Sequence, residues 1–168
     1  MHTTPNTAHK TVCMKKEKKH RVAALLLFGA YLLILVYFLF FSESYGRTEI
    51  SEVVRYNLVP FREIRRYLIH YRELGSLTWI NIGGNILAFV PFGFFLPILN
   101  EQVRHILITT AATVLLSLGV ELVQLTLRVG AFDIDDVILN GLGGVLGYLF
   151  YLLLDHLKKK RNGKIQKI

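Results

Sequence analysis

Four blocks of about twenty apolar residues, separated by charged segments, dominate the pattern of this 168-residue chain. The first, 22–41, carries no charge and almost nothing polar; the others span 79–99, 106–127 and 137–157. A helix rises 1.5 Å per residue, so each block is long enough to cross the hydrocarbon core of a bilayer. Core helices of a soluble protein would carry polar stripes every third or fourth residue, and the first two blocks lack them. The pattern predicts an all-α membrane protein with four transmembrane helices.

The connections add detail. Residues 42–78 form the longest one, and Phe61, Ile64, Tyr67, Leu68, Tyr71 and Leu74 recur in it at helical spacing. Arg62, Arg65, Arg66 and Arg72 fall largely elsewhere on the turn, which predicts a short interfacial amphipathic helix. Such a helix either covers the span ends or forms a substrate-facing lid. Pro60 disfavours helix at Val59, so residues 57–61 should be extended or turning. In the second block, Pro91 and Pro97 should kink or end the helix, with neighbours satisfying the freed carbonyls.

Composition agrees: 52% of the residues are hydrophobic, and the mean hydropathy is +0.41. The net charge of +8 could suggest nucleic-acid binding, but its placement argues against that. Lys15, Lys16, Lys18, Lys19 and Arg21 precede the first block, and Lys158, Lys159, Lys160 and Arg161 follow the last. Basic clusters flanking spans mark the cytoplasmic side, and four spans place both clusters on one face. Both termini are therefore expected in the cytoplasm and the 42–78 loop outside. That topology puts thirteen Lys and Arg inside and seven outside. Anionic-lipid contact is a secondary role for the clusters.

The expected organisation is a disordered basic N-terminus, 1–21, a membrane domain, 22–157, and a basic tail, 158–168. The first block is too long for the apolar core of a signal peptide, and Ser42-Glu43-Ser44 offers no small-x-small cleavage site. It should stay as an anchor. The single cysteine, Cys13, cannot form an internal disulfide.

Ionisable and amide groups at membrane depth are costly unless paired or hydrated, so each is a candidate site residue. Asn81 and Asn85 are four residues apart in the second span, on one helix face. Glu121, Gln124 and Arg128 share a face near the end of the third. The fourth begins Asp133-Ile134-Asp135-Asp136 and carries Asn140 one turn on. All three sets lie in the outer half of the bilayer under the expected topology, while the inner halves read as nearly pure Leu, Ile, Val and Phe. Three readings fit: aspartates capping a helix N-terminus, a structural Glu121–Arg128 pair, or an outward-facing polar pocket. Asp133, Asp135 and Asp136 are also an oxygen-rich set suited to a hard divalent cation. No nucleophile–base pair, phosphate loop or zinc site is visible, so the acidic group alone does not establish an enzyme. Gly143 and Gly147 form a G-x-x-x-G ridge, joined by Gly141 and Gly144, for close helix packing. Gly83 and Gly84 beside Asn85 offer a second close approach.

These residues resemble the VanZ-like family of bacterial membrane proteins. The matching stretches are Asn57-Leu58-Val59-Pro60-Phe61; Asn81 with Gly84-Asn85-Ile86; and Phe89-Val90-Pro91-Phe92-Gly93 through Leu96-Pro97. Ser117, Glu121, Gln124 and Arg128 follow, then Asp133-Ile134-Asp135-Asp136 with Asn140, Gly143, Gly144 and Gly147. The resemblance implies a role at the Gram-positive cell surface and an association with teicoplanin resistance, without supplying a reaction. The site it suggests comprises Asn57, Asn81, Asn85, Glu121, Gln124, Arg128, Asp133, Asp135, Asp136 and Asn140. Its expected ligand is the headgroup of a membrane lipid or lipid-linked cell-wall precursor. A membrane enzyme modifying such a headgroup, with a divalent cation on the three aspartates, is the alternative.

Overall fold

A computed structural model describes residues 7–41 and 56–165. The segment Ser42-Glu43-Ser44 and the first six residues lie outside them. The elements run α1 (Thr7–Phe41), β1 (Tyr56–Asn57), α2 (Arg62–Ile69), α3 (Tyr71–Leu74), α4 (Ser76–Leu99), α5 (Ile106–Leu127), β2 (Phe132–Asp133) and α6 (Ile134–Ile165). A 3-10 turn, Glu101–Val103, joins α4 to α5. Four helices are long and apolar enough to cross a membrane, over Arg21–Phe40, Ser76–Leu99, Ile106–Leu127 and Ile134–Arg161. The chain is an all-α, multi-pass membrane protein, as its apolar blocks predict.

Several boundaries differ from expectation for identifiable reasons. α1 extends back to Thr7, so the basic stretch expected to be disordered continues the span's helix from that residue. Lys and Glu are good helix formers, and propagation from an existing helix is cheap. α6 begins at Ile134 because Asp135 and Asp136 sit in its first turn, where the helix dipole favours negative charge. The interfacial helix is two pieces: α2 ends on His70, whose backbone departs from helix, and α3 adds one turn.

α4 runs through Pro91 and ends two residues after Pro97. Carbonyls near these prolines and at the helix end find donors elsewhere, as a span in lipid requires. Tyr31 Oη donates to the Ala88 carbonyl (2.8 Å). At the terminus Asn100 N–H donates to Leu96 (3.0 Å), Arg104 Nε to Pro97 (3.0 Å) and Arg21 Nη2 to Leu99 (3.3 Å). Two cations therefore meet the negative end of the helix dipole.

Packing is reversed relative to a soluble bundle. Leu33, Leu87, Leu107 and Leu115 are exposed, whereas the buried face of α5 is Thr109, Thr113, Ser117, Glu121 and Gln124. Lipid meets the apolar surface, and the interior is held by small residues and hydrogen bonds. The first half of the third span, expected to be nearly pure Leu, Ile, Val and Phe, buries Thr109 and Thr113, which continue the polar stripe through it. Thr113 Oγ1 donates to the Thr109 carbonyl (2.9 Å), which keeps its hydroxyl satisfied.

α4 and α6 pack closest. A Cβ at Gly143 would fall on the Ile86 carbonyl oxygen, and one at Gly147 on that of Val90. Gly93 makes the reciprocal approach to Gly144. The predicted glycine ridge is thus the α4–α6 seam. Gly83 is different: among the described residues, nothing beyond its own helical turn and chain neighbours lies within 4 Å of where its Cβ would be. A small apolar cluster of Leu35, Leu39 and Phe89 docks α1 against α4.

Candidate functional site

The polar residues gather at the end of the bundle where α4 begins and α5 turns into α6. The chain there is drawn together by a two-residue parallel ladder, with Tyr56 paired to Phe132 and Asn57 to Asp133. Asn57 Nδ2 donates to Asp133 Oδ1 (3.0 Å), while its own Oδ1 accepts the Val59 N–H (3.2 Å) and fixes the turn into Pro60. Asp133 Oδ1 also accepts the Asp135 N–H (2.9 Å). The backbone N–H of Asp133 in turn donates to Glu121 Oε2 (2.9 Å), so α5 is tied to the start of α6.

Asp135 has a defined task. Its carboxylate, 1% exposed, accepts three backbone N–H groups: Phe61 (2.5 Å), Glu63 (2.7 Å) and Ile64 (3.1 Å). These are the unsatisfied donors at the start of α2, whose preceding residue, Phe61, offers no side-chain cap. Asp135 is therefore the N-cap of a helix more than seventy residues earlier in the chain. The cap expected of Asp135 or Asp136 on their own helix falls to Asp133, whose Oδ1 accepts the Asp135 N–H, while Asp135 caps across the fold.

The remaining candidates divide. Asn85 Nδ2 donates to Asp136 Oδ1 (2.5 Å), joining α4 to α6. Asn140 Nδ2 donates to Ser117 Oγ (2.8 Å), and its buried Oδ1 has no partner among the described residues. Gln124 Nε2 donates to the Leu39 carbonyl (2.7 Å) and so holds the end of α1. Two residues stand apart from this network. Asn81 donates to the Leu77 carbonyl (2.9 Å) and lines a separate cleft. Arg128 is exposed, closes α5 in a left-handed conformation (φ 57°) and forms no ion pair among the described residues. The expected Glu121–Arg128 pair is not formed; a backbone N–H takes the place beside Glu121.

Burial pushes the Asp133 carboxyl above its ordinary range, against hydrogen bonds from Asp135 N–H and Asn57, and the nearby Asp135 and Glu63 charges add to the rise. As for a cation, the three aspartates do not converge. Asp135 is committed to backbone donors, and no group of three His, Cys, Asp or Glu among the described residues is placed to hold a metal.

The separate cleft has a volume of about 470 Å³ and lies between the interfacial helices and α4. Arg66, Tyr67, His70, Glu73, Leu77 and Asn81 line it. Arg66 pairs with Glu63 (2.6 Å) and lies over the Tyr67 ring, 5.0 Å from its centroid. Tyr67, His70 and Glu73 were not among the expected site residues. Their signal is present at spacings of three from Tyr67, but it is also that of any amphipathic helix.

No solved structure matches the chain. It is 30% identical over 145 residues to Protein VanZ of Enterococcus faecium, covering 83% of this chain and 80% of that protein. The VanZ/LLP1 family model matches residues 28–155, from the middle of α1 to most of α6, and takes in every candidate site residue. The chain belongs to the VanZ/LLP1 family.

Proposed function

We propose that this protein works at the outer face of the cell membrane, where it binds the phosphate-bearing headgroup of a membrane lipid or lipid-linked cell-wall precursor. Both termini then lie in the cytoplasm. The carrying observation is the cleft between the interfacial helices and α4, which sets a guanidinium, an imidazole, an amide and an aromatic ring around one volume. The α2–α3 segment supplies four arginines against two glutamates, a balance that attracts anionic headgroups. Exposed Trp79 and Tyr71 flank it as interfacial aromatics do.

On this reading the sequence-derived residues have two roles. Asn81 contacts the ligand, and exposed Arg128 is available to a phosphate or carboxylate at the same end. Asn57, Asn85, Glu121, Gln124, Asp133, Asp135, Asp136 and Asn140 brace the platform that carries α2. Sequestering a headgroup would change how lipoglycopeptides engage their target, which connects the site to teicoplanin resistance. A metal-assisted enzyme built on Asp133, Asp135 and Asp136 has less support, because the Asp135 carboxylate is occupied by three amides.

The test is teicoplanin susceptibility of a Gram-positive host expressing the protein, with membrane abundance measured in parallel. Arg66→Ala and Asn81→Ala are expected to remove any protection at unchanged abundance. Loss of protection only in proportion to lost protein would overturn the headgroup role.

A further inference from the structure

The cleft is not the only concavity along α4. A second one, of about 350 Å³, lies between α1 and α4 and is lined by Tyr31, Leu35, Phe38, Gly84, Ala88 and Pro91, among others. Its walls are almost wholly apolar, and it lies within two of the membrane-spanning segments. The α4 residues of the two concavities share one helix face. Leu77 and Asn81 line the cleft, and Gly84, Ala88 and Pro91 line the groove, at successive steps of four, three, four and three.

At 1.5 Å per residue, the distance from Leu77 to Pro91 is about 21 Å, which runs from the headgroup layer past the bilayer midplane. Trp79, exposed on the opposite side of α4 at the level of the cleft, marks the headgroup boundary. Along one helix face, a cleft with a cation at its rim is therefore followed by a groove that only hydrocarbon can fill in a bilayer.

We infer that the two form one site for a lipid phosphate, with the headgroup in the Arg66–Asn81 cleft and a single hydrocarbon chain in the α1–α4 groove. The groove on this face shelters one chain: a polyprenyl phosphate has only that one to place, and a diacyl lipid would leave its second chain in the surrounding bilayer. The cleft is larger than a phosphate requires. Asn81, Glu73 and His70 give it donors and acceptors for a further polar group on that phosphate. This inference rests on the headgroup reading above and adds the tail and its class.

Native mass spectrometry of the full chain, released from detergent with added polyprenyl phosphate, phosphatidylglycerol or phosphatidylcholine, tests it. The wild type is expected to retain one polyprenyl phosphate in preference to either diacyl lipid. Arg66→Ala should lower that retention roughly tenfold, the loss of one charge-assisted contact. Ile34→Trp at the groove rim should lower it comparably, and Ala88→Phe serves the same purpose deeper in the groove if the first variant does not fold. Groove variants that bind normally while Arg66→Ala does not would overturn the tail site and leave the headgroup site standing. Equal retention of phosphatidylglycerol would overturn the one-chain class. Equal retention of phosphatidylcholine, unaffected by Arg66→Ala, would overturn the headgroup reading itself.

Discussion

The carboxylate of Asp135 accepts the backbone N–H of Glu63 at 2.7 Å, so the first turn of α6 caps the start of the interfacial helix α2. Phe61 enters α2 at φ 64°, a left-handed conformation that a residue with a Cβ adopts at a cost. The short bond from its own N–H to Asp135 helps to hold it there. One buried side chain thus fixes where the amphipathic segment starts and how it lies on the bundle.

Asp135→Ala should therefore release α2 rather than unfold the spans. Removing the shared acceptor of three part-buried backbone donors is expected to lower stability by about 2–4 kcal/mol. Hydrogen exchange would locate the effect, with amides of 61–69 losing protection while those of α4 and α6 keep theirs. Unchanged exchange over 61–69 would show that the cap does not hold the helix.

The glycine seam supports a sharper contrast. Gly143→Ala would drive a methyl onto the Ile86 carbonyl oxygen and force α4 and α6 apart, with an expected loss of about 3 kcal/mol or more. Gly83→Ala meets nothing and replaces a poor helix former, so it should be neutral or stabilising by up to about 1 kcal/mol. Thermal unfolding in one detergent would rank the two, and equal losses would refute the seam.

The spans were legible in the sequence because length and hydropathy suffice to mark them, and the glycine ridge because its spacing is periodic. The stripe from Thr109 through Thr113 to Glu121 was also written at intervals of four, but the surrounding Leu and Ile mask it in a hydropathy reading. What each carboxylate does was not legible. Asp133, Asp135 and Asp136 are near-identical in sequence, yet one pairs with Asn57, one caps α2 and one meets Asn85. That division depends on segments far away in the chain, and local pattern carries no information about them.

Asp133 provides a pH dependence with a definite sign. Burial raises its pKa in the folded protein, so the folded state binds a proton that the unfolded state has released. Its contribution is therefore present below the ordinary carboxylate pKa of about 4 and is lost as pH rises through the folded value. Asp133→Asn keeps an acceptor oxygen for Asn57 and Asp135 but cannot ionise. It should flatten the acid side of the stability profile and be at least as stable as the wild type at neutral pH. Unfolding midpoints measured from about pH 4 to about pH 7 would show this, and an unaltered slope would count against the assignment.

The two ends of the bundle differ in charge chemistry, and this predicts their sidedness. At one end Arg21 and Arg104 donate to the last carbonyls of α4, beside the lysines that follow the fourth span. The same cations satisfy a helix terminus and, by the distribution of positive charge, are expected to retain that end in the cytoplasm. At the other end Arg128 is exposed in the tight turn between α5 and α6. With the native thiol removed by Cys13→Ser, a cysteine introduced by Arg128→Cys should react with a membrane-impermeant maleimide on intact cells. One introduced by Glu101→Cys, in the opposite connection, should react only after the membrane is opened. The reverse pattern would place the headgroup cleft on the cytoplasmic side, where lipoglycopeptides do not act, and would remove the link to resistance.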